Sequence, residues 1–338
     1  MATRQDVAKL AGVSPSTVSR VINENGYVAE DVRKRVKQAI QELNYIPNRV
    51  ARSLRMQKCR QIACITPSIS NSFYHEIVMG IEEIALENGY TFSLYNLTYE
   101  KREYLKLILE GFHDGVILLQ PSEVEKILPL EQIAKHLPIS MYCDRREVAA
   151  IPHVYVNLRR AMRKNVSHLI RLGHRDIIFL GYEFHAPEEN PRFQGYVDAM
   201  NEFGLPILPH HQQFIPDLKD TLTVGYQKMI EFLERGMTCT AVVASNDLLA
   251  VGAMRAFTER GMRVPDDVSI TGVDDSEISR LITPSLSTIG IPKQEIGNLL
   301  MRQLLDQING MQTVYPAIEV STELIMRESV MKKKIKIE

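Results

Sequence analysis

Residues 3–23 read TRQDVAKLAGVSPSTVSRVIN, and their spacing alone predicts two short helices joined by a turn. Thr3 followed three residues later by Asp6 is a pairing in which a hydroxyl and a carboxylate satisfy the free backbone N–H groups of a helix start. Gly12 ends that helix, since glycine enters the left-handed conformation without penalty. Ser14 can cap the next helix, with Pro15 at its first position, where a missing N–H costs nothing. Val7, Ala8, Ala11, Val13, Val18 and Val21 recur at helical spacing and predict one small core. Ser16, Ser19, Arg20 and Asn23 fall on the opposite face, a polar strip of the kind a DNA major groove accepts. A plain helical hairpin with solvated charges would look the same up to this point. The rest of the chain decides against it.

Residues 1–60 hold twelve Lys and Arg against five acidic residues, a net of +7. The whole chain stands at −1, so residues 61–338 carry −8. A basic head on an acidic body suits a protein that holds phosphates with one end only. A chain of 338 residues can bury the cores of two or three domains. Cys59, Cys64, Cys143 and Cys239 are scattered without a CxxC or any metal-ligand spacing, so neither a disulfide framework nor a metal site is expected. The start MATRQDV lacks an apolar signal core, and no apolar run reaches membrane-spanning length, which predicts a cytoplasmic protein without membrane contact.

A third helical pattern runs from about Glu30 to Leu43, with Val32, Val36, Ala39, Ile40 and Leu43 on one face, and would close a three-helix head. Pro47 breaks it. Asn48 to Arg55 then place a short apolar side (Val50, Ala51, Leu54) among arginines, in a segment too short to be helical alone. That content suits insertion into a minor groove, with Leu54 as the wedge between base steps, though a basic linker has the same composition. From residue 60 the rhythm changes. Short apolar runs at 62–65, 91–95, 115–119, 139–143, 177–180, 241–244 and 268–273 alternate with helical patterns such as 74–87, 158–171, 225–235 and 247–260. Such alternation predicts parallel sheets with helices on both faces. Two sets of strands, joined near 157–162, predict two lobes with a binding cleft at the carboxyl ends of their strands.

The chain resembles the lactose-repressor/galactose-repressor (LacI/GalR) family of bacterial transcription regulators. The resemblance rests on DVAKLAGVSPSTVSRVIN (6–23), ELNYIPNRVARSLR (42–55), ASNDLLAVGAM (244–254) and GVDDSE (272–277), with LGHRDIIFLG (172–181) and PSLSTIGIP (284–292) adding to it. It implies a small all-α helix-turn-helix head and an α/β two-lobed, periplasmic-binding-protein-like domain with parallel sheets. The expected divisions are a DNA-binding domain at 1–46, a hinge at 47–59, and an effector-binding and dimerisation domain at 60–338. Within the last, one lobe would take about 60–160 and 290–320, the other about 161–289 and 321–331. A homodimer binding a pseudo-palindromic double-stranded operator is implied, responding to a small effector, commonly a sugar or sugar derivative. The tail 331–338 holds barely one heptad, so a dimer is the expected end point.

Carried over position by position, Thr3, Ser14, Ser16, Thr17, Ser19, Arg20 and Asn23 match DNA-contacting positions of the head, with Arg20 suited to a bidentate guanine contact. Asn48, Ala51, Arg52 and Leu54 match the minor-groove hinge. Phe73, Tyr74 and Asp144 match the ligand-facing edge of the first lobe, and Arg192, Asn246 and Asp274 the polar clamp of the second. Carboxylates, an amide and a guanidinium can each pair with neighbouring hydroxyls of a sugar. Each has a plainer reading: Phe73 and Tyr74 as core aromatics, Asn246 as a helix cap, Asp274 and Asp275 in a turn. The family's glycine-Asp-aromatic segment has no clean copy in 213–223, where Phe214 is the candidate aromatic, and Ile291 replaces a glutamine common before Pro292.

Other functions fit less well. Asp274 and Asp275 are adjacent, whereas glycoside hydrolysis needs two carboxyls facing each other across a substrate, and no nucleophile triad, metal cluster or phosphate loop emerges. An enzyme is not expected, nor is a cofactor. A two-lobed transport protein would need a signal peptide and no basic head. A global carbon-control regulator with a phosphoprotein corepressor is the alternative within the family.

Overall fold

The computed structural model describes residues 2–22, 25–45, 58–69, 71–97, 105, 108, 112–144, 151–183, 189–215, 221–311 and 317–333. Asn23 and the hinge candidates Asn48, Ala51, Arg52 and Leu54 lie outside these. The chain forms two units, Met1–Cys59 and Arg60–Glu338.

The first unit holds α1 (Arg4–Ala11), α2 (Pro15–Ile22) and α3 (Glu30–Glu42). The Thr3 hydroxyl accepts from the Asp6 N–H, and the Asp6 carboxylate accepts from the Thr3 N–H at 2.8 Å, so both halves of the capping pair form. Gly12 closes α1 at φ 64°, a value that strains any residue with a Cβ. Val7, Ala8, Ala11, Val18, Val21, Val36, Ala39 and Tyr45 make the core of this head.

Among the described residues, the second unit contains two six-stranded sheets. The first orders β11-β5-β4-β3-β1-β2, from β1 (Gln61–Thr66), β2 (Thr91–Asn96), β3 (Gly115–Leu118), β4 (Ile139–Cys143), β5 (His153–Val156) and β11 (Ala317–Val320). All its pairings are parallel. The second orders β12-β10-β9-β8-β6-β7, from β6 (Ile177–Tyr182), β7 (Gln212–Ile215), β8 (Ala241–Ala244), β9 (Ser269–Asp274), β10 (Ser287–Gly290) and β12 (Glu323–Ile325). It is parallel apart from the β10–β12 pair. The chain therefore passes between the sheets three times, after Val156, after Gly290 and after Val320.

Among the helices, α4 (Ser72–Glu87), α5 (Pro121–Glu125), α6 (Leu130–Ala134) and α12 (Lys293–Ile308) accompany the first sheet. With the second go α7 (Leu158–Arg171), α8 (Pro191–Glu202), α9 (Thr221–Glu234), α10 (Asp247–Glu259) and α11 (Glu277–Leu281). Helices α4 and α12 touch backbone to backbone: a Cβ on Gly80 would stand 2.2 Å from the Gln294 carbonyl oxygen, and one on Gly297 2.1 Å from that of Ile77. No helix among the described residues is long and apolar enough to cross a membrane.

Candidate functional site

On the head, Val18 and Val21 turn α2 inward, which leaves Ser16 and Arg20 exposed and Thr17 and Ser19 half-buried. The Ser14 hydroxyl accepts from the Thr17 N–H at 3.2 Å and lies 2.7 Å from the Ser16 hydroxyl and 2.9 Å from that of Thr17. Thr3 and Ser14 thus both stand at helix starts, where backbone N–H groups and the positive end of the helix dipole favour an anion such as phosphate. Arg35 donates to the Ala11 carbonyl at 3.1 Å and covers the far end of α1.

In the second unit, the carboxyl ends of both sheets bring one group of polar side chains together. Asp144 follows β4. Arg192 occupies the first turn of α8, fixed by Asn190, whose side chain accepts from the Arg192 and Phe193 N–H groups at 3.0 and 3.2 Å. From there Arg192 Nη1 donates to Asp144 Oδ2 at 3.2 Å, one lobe to the other. Burial works against the Arg192 charge, but Asp144 and Asp274 outweigh it and raise its pKa. Tyr74, Tyr142 and Tyr182 ring the same charges, and burial pushes all three phenols up. Arg192 Nε and the Tyr142 hydroxyl are buried with no hydrogen-bond partner among the described residues. Buried donors left unpaired cost about 1–3 kcal/mol each, so this cleft favours a ligand carrying oxygen acceptors.

The sequence-predicted cleft residues divide in two. Tyr74, Asp144, Arg192, Asn246 and Asp274 meet at the cleft. Phe73 is only 6% exposed and backs it from the first lobe's core, its ring 5.2 Å from Tyr74 and 5.7 Å from Tyr142. Asn246 serves twice: Oδ1 caps α10 by accepting from the Leu249 N–H at 2.8 Å, and Nδ2 donates to the Tyr182 hydroxyl at 2.7 Å. Phe214, the candidate aromatic of 213–223, packs 5.1 Å from Phe193 and 5.9 Å from Phe179. Ile291 is buried in the core.

Asp274 ends β9 at φ 116° and Asp275 follows at φ 50°, backbone conformations that cost of order 1–3 kcal/mol each outside glycine. Neighbouring side chains hold both in place. Asp275 is gripped by Arg280 and Arg327, which outweigh its burial and lower its pKa. Lys293 Nζ, on a side chain 3% exposed, donates to the carbonyls of Asp274 at 2.6 Å and Asp275 at 3.2 Å, and pairs with Glu76 at 3.2 Å. Burial, and then Asp247 nearby, push the Asp274 carboxyl well above the usual range. Asp247 is itself raised by burial, while accepting from the Ser276 N–H at 2.7 Å, the Ser276 hydroxyl at 2.8 Å and the Thr288 hydroxyl at 2.5 Å.

Sequence reading missed Tyr142, Tyr182, Asp247 and Lys293. Tyr142 and Tyr182 sit in ISMYC and IIFLGY, where a strand tyrosine looks like any core aromatic. The one usable signal was their position at strand carboxyl ends.

Comparison with known proteins identifies the family and the fold. Residues 3–48 match the model of bacterial regulatory proteins of the lacI family, and residues 166–330 that of a periplasmic binding protein-like domain. The chain is 35% identical to the HTH-type transcriptional repressor PurR of Pasteurella multocida, over 98% of this chain and 99% of that one. The structure is similar to that of the lac repressor dimer bound to operator and the anti-inducer ONPF, at TM-score 0.86 and 28% identity, covering 98% and 99% of the two chains. It is also similar to a complex of the transcriptional regulator CelR with cellobiose, at TM-score 0.71 and 29% identity over 97% and 100%.

Proposed function

Because the chain belongs to the lacI family of bacterial regulatory proteins, as a DNA-binding transcriptional repressor with an effector-binding domain and not an enzyme, we propose that it controls carbohydrate-utilisation genes as a sugar-responsive dimer. Each head reads one half of a pseudo-palindromic operator through Ser16, Thr17, Ser19, Arg20 and Asn23. Thr3 and Ser14 hold phosphates, and Asn48, Ala51, Arg52 and Leu54 enter the minor groove between the half-sites. A small polyhydroxylated effector binds among Tyr74, Asp144, Arg192, Asn246 and Asp274, with Phe73 behind them, and releases the operator.

The observation that carries this reading is the pair of unpartnered donors, Arg192 Nε and the Tyr142 hydroxyl, set among two carboxylates and an amide at the carboxyl ends of both sheets. A sugar supplies acceptors to those donors and hydroxyls to those carboxylates, while tyrosine rings cover its C–H face. Such a ligand moves operator affinity only through its differential affinity for two arrangements of the lobes. The relevant experiment is a thermal-shift screen of mono- and disaccharides, followed by operator titration with each hit. A sugar that stabilises the protein and weakens operator binding supports the proposal. The absence of any such sugar sinks it.

A further inference from the structure

We propose that the second lobe carries a transition-metal site, made by Asp176, His210 and His211, at the end of its sheet remote from the cleft. One ligand atom from each of these residues lies within 4.8 Å of the others. Asp176 immediately precedes β6, and His210 and His211 close the 3-10 turn Pro209–His211 that leads into β7. The two strands are parallel neighbours, so the cluster sits at their amino ends. Tyr182, at the carboxyl end of β6, faces the cleft roughly 20 Å of strand away.

The fold assembles the three side chains on its own. Nε2 of His211 lies 2.9 Å from Oδ1 of Asp176, and the two imidazole rings stand edge to face with centroids 4.5 Å apart. His211 is buried, whereas Asp176 and His210 are half-exposed beside a cavity of about 540 Å³ bounded by Leu205, Met237 and Thr238, with room for an ion and its water. Two imidazoles and a carboxylate suit zinc, cobalt or nickel rather than magnesium or calcium. A tetrahedral ion holds its donor atoms about 3.4 Å apart, so the wider distances of the cluster close through rotation of the half-exposed His210 side chain while the 2.9 Å Asp176–His211 pair opens slightly.

Coordination through Nε2 requires a neutral His211 ring with its proton on Nδ1. In the metal-free arrangement the Leu208 N–H donates to Nδ1 at 3.2 Å and Nε2 faces Asp176. Metal binding at Nε2 moves the ring proton to Nδ1, so the Leu208 N–H contact opens as the ion takes the place of the Asp176 hydrogen bond. Arg175 borders the cavity but turns its guanidinium onto the carbonyls of Ile170 and His174, at 2.7 and 2.9 Å.

The test is titration of the full-length protein with cobalt(II) chloride, followed by visible absorption and thermal melting. The site predicts one equivalent per chain, absorption bands of a nitrogen–oxygen ligand set, and a raised melting temperature. His210→Ala should lose affinity by on the order of ten-fold or more, while His136→Ala, exposed on the first lobe, should bind as wild type does. Should His210→Ala melt lower without metal, His210→Phe keeps the ring packing and removes the ligand atom, and the same loss is expected of it. Substoichiometric binding, undiminished binding by both His210 variants, or thiolate charge-transfer bands would each overturn the proposal.

Discussion

Arg192 and Asp144 join the two lobes directly, with Nη1 of the one donating to Oδ2 of the other at 3.2 Å from opposite sheets. Their side chains remain 20% and 33% exposed, so water reaches the pair and a ligand can replace it. The same guanidinium keeps Nε without a partner among the described residues. One residue therefore links the lobes and offers a donor to whatever enters between them.

Removing either partner should have separable effects. Asp144→Ala leaves the Arg192 charge undercompensated and should cost about 1–3 kcal/mol of stability, below the range for a fully buried pair because both side chains touch solvent. Arg192→Ala should abolish the effector response and leave ligand-free operator affinity nearly unchanged. A double-mutant cycle in urea together with operator titration measures both. A normal effector response from Arg192→Ala would place the ligand elsewhere.

The pH dependence follows from Asp274, whose folded-state pKa lies well above the usual carboxylate value because of burial and Asp247. A raised folded pKa means that ionisation is harder in the folded than in the unfolded state. The favourable contribution is thus fully present below the unfolded pKa of about 3.9 and is lost as pH rises toward the folded value. Asp274→Asn removes this penalty and tolerates the positive φ. The stability of the variant relative to wild type should therefore grow with pH above about 4, and melting curves at a series of pH values test it. A difference that stays flat or shrinks would mean that Asp274 titrates normally.

Local signals in the sequence were strong where neighbours along the chain satisfy each other. Thr3 with Asp6, Gly12, and the helices that begin at Glu30, Leu158 and Asp247 could be read because caps and 3.6-residue spacing are encoded within a few positions. Strands such as His153–Val156, Ser287–Gly290 and Glu323–Ile325 could not, being three or four residues long and punctuated by polar side chains. Lys293 shows the limit most clearly. After Ile291-Pro292 it reads as a solvated helix start, and only the second crossing of the chain between the sheets buries it against carbonyls 18 and 19 residues upstream.

That burial makes Lys293 a stability element of the cleft. Its ammonium is the donor to the carbonyls of both left-handed residues and the partner of Glu76 on α4. Charge-assisted hydrogen bonds contribute roughly 1.5–3 kcal/mol, and Glu76 is too exposed to add much. Lys293→Met should cost about 2–4 kcal/mol, measured by urea denaturation, and should weaken effector binding by loosening Asp274. A loss under about 0.5 kcal/mol, the scale of an ordinary surface substitution, would show that the two strained residues hold themselves.

The hinge proposal makes Leu54 a DNA-dependent wedge. An apolar side chain inserted between base steps bends the duplex, so Leu54→Ala should weaken operator binding and reduce bending. Melting of the effector domain should not change. Gel mobility of circularly permuted operator fragments reads the bend, and equal bending by both proteins would make residues 47–59 a plain linker.

Arg20 is a base-reading candidate that the head presents openly, exposed on α2 while Val18 and Val21 anchor the opposite face. Its planar guanidinium can bond O6 and N7 of guanine together in a fixed fork geometry, which alanine cannot reproduce. Arg20→Ala should cost about 1–3 kcal/mol on the cognate operator and relax preference at one symmetric pair of base positions. Binding by wild type should also fall steeply with salt, because each phosphate neutralised by the +7 head releases counterions. Since a base contact releases few of these, the Arg20 variant should keep nearly the same salt slope while losing discrimination. Anisotropy titrations on operator variants at several salt concentrations separate the two effects. If affinity falls uniformly across sequences and the slope drops by about one, Arg20 is a phosphate contact and another residue of α2 reads the base.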